Sequence, residues 1–65
     1  MRVGVIGAAG RMGATVCAAV AGAEDMELVA AVDPQGAGQV AQGVTVAADL
    51  SALAGAGAEV AVDPA

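Results

Sequence analysis

The pattern of apolar and polar positions divides the chain into short apolar runs that end at turn-forming residues. Residues 2–6, 27–32 and 58–62 are such runs; the first is followed by glycine and the other two by Asp-Pro. A continuous apolar run of this length, bounded by turn residues, predicts a strand buried in a parallel sheet. Residues 44–46, Val-Thr-Val, predict one more short strand.

A longer apolar stretch with helical spacing follows the first run. Residues 11–22 are rich in alanine, the strongest helix former, and their apolar positions recur every three or four residues. We therefore expect a helix over 11–22, with Cys17 as a small packed side chain. Its buried stripe is predicted to consist of Met12, Val16, Ala19, Val20 and Ala23.

The remaining segments are less regular. Residues 34–43 are uncharged and rich in Gly and Gln, which predicts a loop. Asp49 or Ser51 is expected to cap a short helical turn that runs through Leu53 and Ala54. Because strands and helices alternate along the chain, we expect an α/β fold with a parallel sheet and right-handed helical crossovers.

The composition limits the size of the core. Of the 65 residues, 19 are alanine, none is aromatic, and only 18 are Val, Ile, Leu or Met. A chain of this length buries only about 60% of its unfolded surface on folding. We therefore expect residues 1–65 to be a fragment of a larger protein.

Charge and residue types exclude several kinds of partner and site. The net charge is −5 and the only cations are Arg2 and Arg11, so nothing favours nucleic-acid binding. The longest apolar stretch, residues 12–23, is too short to span a bilayer, which argues against a membrane partner. With one cysteine and no histidine, the chain offers no internal disulfide, metal cage or nucleophilic triad. A reducing, cytoplasmic setting fits this composition.

A glycine-rich loop joins the first predicted strand to the first predicted helix. The sequence Gly-Ala-Ala-Gly-Arg-Met-Gly over residues 7–13 places glycines at 7, 10 and 13. Gly7 permits a sharp turn out of the strand, Gly10 leaves room for a diphosphate, and Gly13 permits close packing of the helix on the strand. The start of the helix would direct free N–H groups at the anion. The alternative is a turn of the same shape that binds nothing.

Two charged residues extend this hypothesis. Arg11 lies at the start of the helix, where a cation is unfavourable unless an anion binds beside it. Asp33 ends the second strand, 20 residues after Gly13, at the spacing expected for an acid that accepts from ribose hydroxyls. A carboxylate repels a 2′-phosphate, so these residues favour NADH, with NADPH tolerated. The simpler interpretation of Asp33, and the one we prefer for Asp63, is a turn residue before proline.

The motif Gly-Ala-Ala-Gly-Arg-Met-Gly, followed by Asp-Met-Glu-Leu-Val-Ala-Ala-Val-Asp at 25–33, resembles the N-terminus of the dihydrodipicolinate reductase family. The resemblance covers essentially the whole chain. It implies a partial Rossmann-type parallel sheet, the N-terminal βαβ half of a dinucleotide-binding domain. It also implies an NADH- or NADPH-dependent reductase that converts 4-hydroxy-tetrahydrodipicolinate to tetrahydrodipicolinate in lysine and diaminopimelate biosynthesis. Its diphosphate loop would be Gly7, Ala8, Ala9, Gly10, Arg11 and Met12, and its ribose-binding acid Asp33.

The chain departs from the family pattern at two places. Pro34 stands where family members often carry an arginine that helps to hold NADPH, and Asp63-Pro64 replaces an Asp-Phe-Thr or Asp-Phe-Ser motif. The resemblance implies that residues 1–65 are an incomplete N-terminal dinucleotide-binding domain, and that the catalytic and substrate domain with the family's catalytic residues lies outside them. It also implies a homotetramer for the full-length protein. Other hypotheses remain open: another two-domain NAD(P)-dependent dehydrogenase, a non-catalytic dinucleotide-sensing module, or a truncated product without function.

Overall fold

The computed structural model describes residues 1–64; Ala65, the last residue of the predicted incomplete domain, lies outside the described residues. No helix within 1–64 has the length and apolar character that crossing a membrane requires. The elements in chain order are β1 (Arg2–Ile6), α1 (Arg11–Gly22), β2 (Glu27–Val32), β3 (Val40–Ala41), β4 (Val44–Ala47), α2 (Ser51–Gly55) and β5 (Val60–Val62).

The strands form one five-stranded sheet in the order β3-β4-β2-β1-β5. The pairs β1–β2, β1–β5 and β2–β4 are parallel, which confirms the predicted α/β class. β1 lies between β2 and β5. The chain first adds β2 and β4 on one side of β1 and later adds β5 on its other side. Ligands of open α/β sheets bind at the carboxyl ends of the strands near such a reversal. The loop after β1 and the residue after β2 lie at that edge.

The buried face of α1 differs from the predicted stripe. Gly13, Cys17 and Val20 are its buried residues, whereas Met12 is 63% exposed and Ala19 is also exposed. An alanine-rich helix has apolar positions on every side, so its sequence fixes the phase poorly. Close contact at Gly13 instead turns Cys17 into the sheet. The core on this face consists of Val5, Ala8, Cys17, Ala31 and Val46.

The prediction that residues 34–43 are entirely loop is wrong. β3 pairs antiparallel with β4 through Val40↔Thr45 and Ala41↔Val44. The two residues between them, Gln42 and Gly43, have φ angles of 51° and 82°. Positive φ at both central positions is typical of the tight turn that matches strand twist. The crossover from β2 to β4 therefore contains this hairpin strand where a loop was expected.

The final strand, β5, begins at Val60, two residues after its predicted start at residue 58. The N–H of Ala58 donates to the carbonyl of Leu53 at 3.0 Å, which keeps it attached to the end of α2. The short helix itself is confirmed, and Asp49 supplies the side-chain contact at its start: its Oδ1 accepts from the N–H of Ser51 at 3.0 Å. Both bonds draw the chain into the compact crossover that delivers β5 to the far side of β1.

Candidate dinucleotide-binding site

The glycine loop leaves β1 through a backbone turn that requires glycine. Gly7 has a φ of 70°, in the left-handed region that residues with a side chain rarely adopt. The N–H groups of Gly7 and Ala8 both donate to the carbonyl of Val32, at 2.7 and 3.2 Å. The side chain of Ala8 is only 2% exposed and belongs to the core. The first half of the loop is thus anchored to the end of β2.

The N-terminus of α1 is pressed against this loop. A Cβ added to Gly13 would overlap the carbonyl oxygen of Gly7 and lie 2.7 Å from its carbonyl carbon and 2.8 Å from Cα of Ala8. Glycine at 13 is therefore required by close packing, as expected. The surface it packs on is the backbone of the loop rather than the strand.

The first turn of α1 presents three backbone amides without acceptors. Gly10 precedes the helix and has no side chain to cap it, and its own N–H donates to the carbonyl of Gly7 at 3.1 Å. The first helical bond runs from Ala14 to Gly10, at 2.8 Å. Within residues 1–64 the N–H groups of Arg11, Met12 and Gly13 have no acceptor, and the first turn has no acidic side chain. Free backbone amides at the start of a helix generally favour a bound anion.

Of the three residues with free amides, the first two are exposed and Gly13 is buried. A Cβ on Gly10 would meet only the carbonyl oxygen of Gly7, at an ordinary contact distance of 3.5 Å. Packing within the described residues therefore leaves room for alanine at position 10. Arg11 and Met12 are exposed, and among the described residues the guanidinium of Arg11 has no hydrogen-bond or ion-pair partner.

Asp33 points at the glycine loop. Its Oδ2 accepts from the N–H of Ala9 at 3.1 Å, and its Oδ1 accepts from the N–H of Gln35 at 3.0 Å. Its own N–H donates to the carbonyl of Ala47 at 2.8 Å, which fixes the end of β2 against β4. Each carboxylate oxygen has more than one acceptor position, so both can also accept from hydroxyl groups of a ligand.

A cleft of about 230 Å³ opens beside this site, between α1 and the β3–β4 hairpin. Ala8 and Ala9 line it together with buried Cys17 and Val46, but Arg11, Met12 and Asp33 do not. Burial raises the pKa of the Cys17 thiol, so this cysteine stays protonated at neutral pH. The cleft adjoins the glycine loop without including the groups that would hold a diphosphate.

The structure places all of the predicted site residues at one edge of the sheet. They differ in whether their backbone N–H groups already have an acceptor. The N–H groups of Gly7, Ala8, Ala9 and Gly10 are used within the chain, whereas those of Arg11 and Met12 are free. The prediction omitted Gly13 as an amide donor and also omitted Gly36, which is buried against Ala9. Gly13 is the third glycine of the motif, so the motif itself could have indicated it. Nothing in the uncharged segment 34–43 singled out Gly36.

Comparison with known proteins gives one consistent family. The family described as "Dihydrodipicolinate reductase, N-terminus" matches residues 1–64. Proteins named 4-hydroxy-tetrahydrodipicolinate reductase are similar: that of Corynebacterium efficiens is 46% identical over 97% of this chain and 21% of its own length. Those of Beutenbergia cavernae and Cutibacterium acnes are 52% identical over 97% of the chain and 53% identical over 78% of it, covering 20% and 21% of their own lengths.

No solved structure matches the chain significantly. The chain spans about a fifth of the length of the curated relatives that it matches. The family match, however, covers nearly every residue, including the glycine loop and Asp33. The chain therefore belongs to the family of dihydrodipicolinate reductase N-terminal domains.

Proposed function

We propose that this chain is the NADH- or NADPH-binding N-terminal part of a reductase that converts 4-hydroxy-tetrahydrodipicolinate to tetrahydrodipicolinate in lysine and diaminopimelate biosynthesis. The observation that carries the proposal is the set of three free amides at the start of α1, beside a carboxylate that already contacts the same loop. The reductase names of the relatives favour this function over a sensing module or another dehydrogenase.

The residues of this chain would bind and orient the dinucleotide. The amides of Arg11, Met12 and Gly13 would hold its diphosphate, assisted by the guanidinium of Arg11. Asp33 would accept from the adenosine ribose hydroxyls while it keeps Ala9 in place. When bound, the nicotinamide supplies the hydride, and the protein supplies position and charge.

We propose that NADH binds more tightly than NADPH. If Asp33 accepts from the ribose hydroxyls as proposed, a 2′-phosphate would stand close to its carboxylate, and the next residues, Pro34 and Gln35, carry no charge. Repulsion between a carboxylate and a phosphate about 6 Å apart is worth about 1 kcal/mol even in water-like surroundings, or roughly a factor of five in affinity. Arg11 is the cation that could offset it.

Titration of the intact gene product with each dinucleotide, followed by reduced-nicotinamide fluorescence, tests the proposal. We expect saturable binding of both, with a Kd for NADH roughly fivefold lower than for NADPH. An Arg11→Met variant should weaken both and should weaken NADPH more. Absence of binding for both dinucleotides would contradict the function, and tighter binding of NADPH would contradict the preference alone.

The proposal places catalysis outside these residues. The chain contains no histidine and no lysine that could transfer a proton to or from the substrate. We therefore expect the isolated 65-residue chain to give no turnover above the blank with substrate and NADH. We also propose that the full-length reductase is a cytoplasmic homotetramer that assembles through a part of the protein beyond this chain.

A further inference from the structure

The loop between β2 and β3 meets the glycine loop at a second point, apart from the carboxylate of Asp33. Gly36 is buried, and a Cβ built on it would overlap the Cβ of Ala9 and lie 3.7 Å from Cα of Ala9. The φ of Gly36 is not in the left-handed region, so its backbone conformation is open to alanine. Glycine is thus required at 36 by the proximity of Ala9 alone.

The two sides of this contact are not equally fixed. The N–H of Gly36 donates to the carbonyl of Asp33 and its carbonyl accepts from the N–H of Gln39, both at 3.1 Å. Ala9 is exposed, and its N–H is held by the single bond to Oδ2 of Asp33, at 3.1 Å. A methyl group at position 36 would therefore displace Ala9 rather than the β2–β3 loop.

Only Gly10 separates Ala9 from the residues that present free amides. Gly10 is the last residue before α1. Its position therefore determines the direction of the amides of Arg11, Met12 and Gly13. We propose that Gly36 is a positioning residue for the dinucleotide site: by leaving room for Ala9, it fixes the glycine loop on Asp33 and aims the free amides of α1. Its effect on cofactor affinity rests on the proposed function, whereas its effect on Ala9 does not.

The test uses the intact gene product and two readouts. Gly36→Ala is expected to raise the Kd for NADH roughly tenfold or more, since small misplacements at a binding site have large effects. Without cofactor, it should speed hydrogen exchange at the Ala9 amide by a similar factor, because the bond to Asp33 is lost. The double variant Ala9→Gly/Gly36→Ala removes the overlapping atom and should restore both values to within about threefold.

The matched control is Gly22→Ala, since a Cβ on Gly22 meets no atom within 4 Å and its φ is ordinary. It should leave both readouts within about twofold of the parent. Unchanged readouts in Gly36→Ala, or a double variant that is not restored, would overturn the proposal. If Gly36→Ala does not fold, a folded double variant supports the proposal and an unfolded one overturns it. If the parent binds no dinucleotide, the proposed function fails and the Ala9 exchange rate still decides the role of Gly36.

Discussion

Replacement of Asp33 with alanine is expected to weaken NADH binding by the intact gene product by about a hundredfold, since a hydrogen bond to a charged group contributes roughly 1.5–3 kcal/mol. The variant loses the acceptor for the ribose hydroxyls. It also releases the N–H of Ala9, which holds the glycine loop, and the N–H of Gln35. Titration with NADH and NADPH, followed by nicotinamide fluorescence, measures the loss.

The comparison between the two dinucleotides separates these roles of Asp33. Because alanine also removes the repulsion of a 2′-phosphate, NADPH binding should fall less than NADH binding. Asp25→Ala is the charge-matched control, since Asp25 precedes β2 at the opposite edge of the sheet; it should change neither Kd by more than about twofold. Equal losses for the two dinucleotides would contradict the ribose contact and leave Asp33 only its role in holding the loop.

Gly13→Ala is expected to destabilise this unit by about 2 kcal/mol, within the range of substitutions that overpack a core. The added methyl group would overlap the backbone of Gly7 and Ala8, so α1 would have to move away from the loop. Backbone movement there separates Cys17 from Val5 and Ala31 in the core. Hydrogen exchange at the β1 amides, converted to an opening free energy, measures the change.

Position 22 again provides the comparison, because both glycines lie in α1 and only Gly13 touches the loop. Gly22→Ala should leave the opening free energy of β1 unchanged or slightly higher, since alanine favours helix over glycine. If Gly13→Ala retained the stability of Gly22→Ala, the close packing of α1 on the glycine loop would be refuted.

The first three elements could be predicted from the sequence to the residue. Turn-forming residues mark their ends: Gly7 follows β1, and Asp33-Pro34 follows β2. Between them, alanine content and spacing define α1. The carboxyl ends of two parallel strands meet at one edge, so the proximity of Asp33 to the glycine loop also follows from the order of elements.

Other features depend on contacts that a sequence pattern does not encode. The predicted buried face of α1 was wrong because alanines lie on every side of the helix. The contact at Gly13 decides which side is buried. The β3–β4 hairpin was missed because Gln42-Gly43 is a weaker turn signal than Asn-Gly, and β3 is only two residues long. The bond from Ala9 to Asp33 and the proximity of Gly36 arise between segments distant in sequence.

In the proposed function, the free amides at the start of α1 hold the diphosphate of a nicotinamide dinucleotide. The most direct measurement follows the backbone amide resonances of the isotope-labelled intact gene product as NADH is added. We predict that the resonances of Arg11, Met12 and Gly13 shift together and saturate with the same Kd as the fluorescence titration, while that of Glu27, at the opposite edge of the sheet, does not move. Saturable NADH binding that leaves those three amides unshifted would contradict the account.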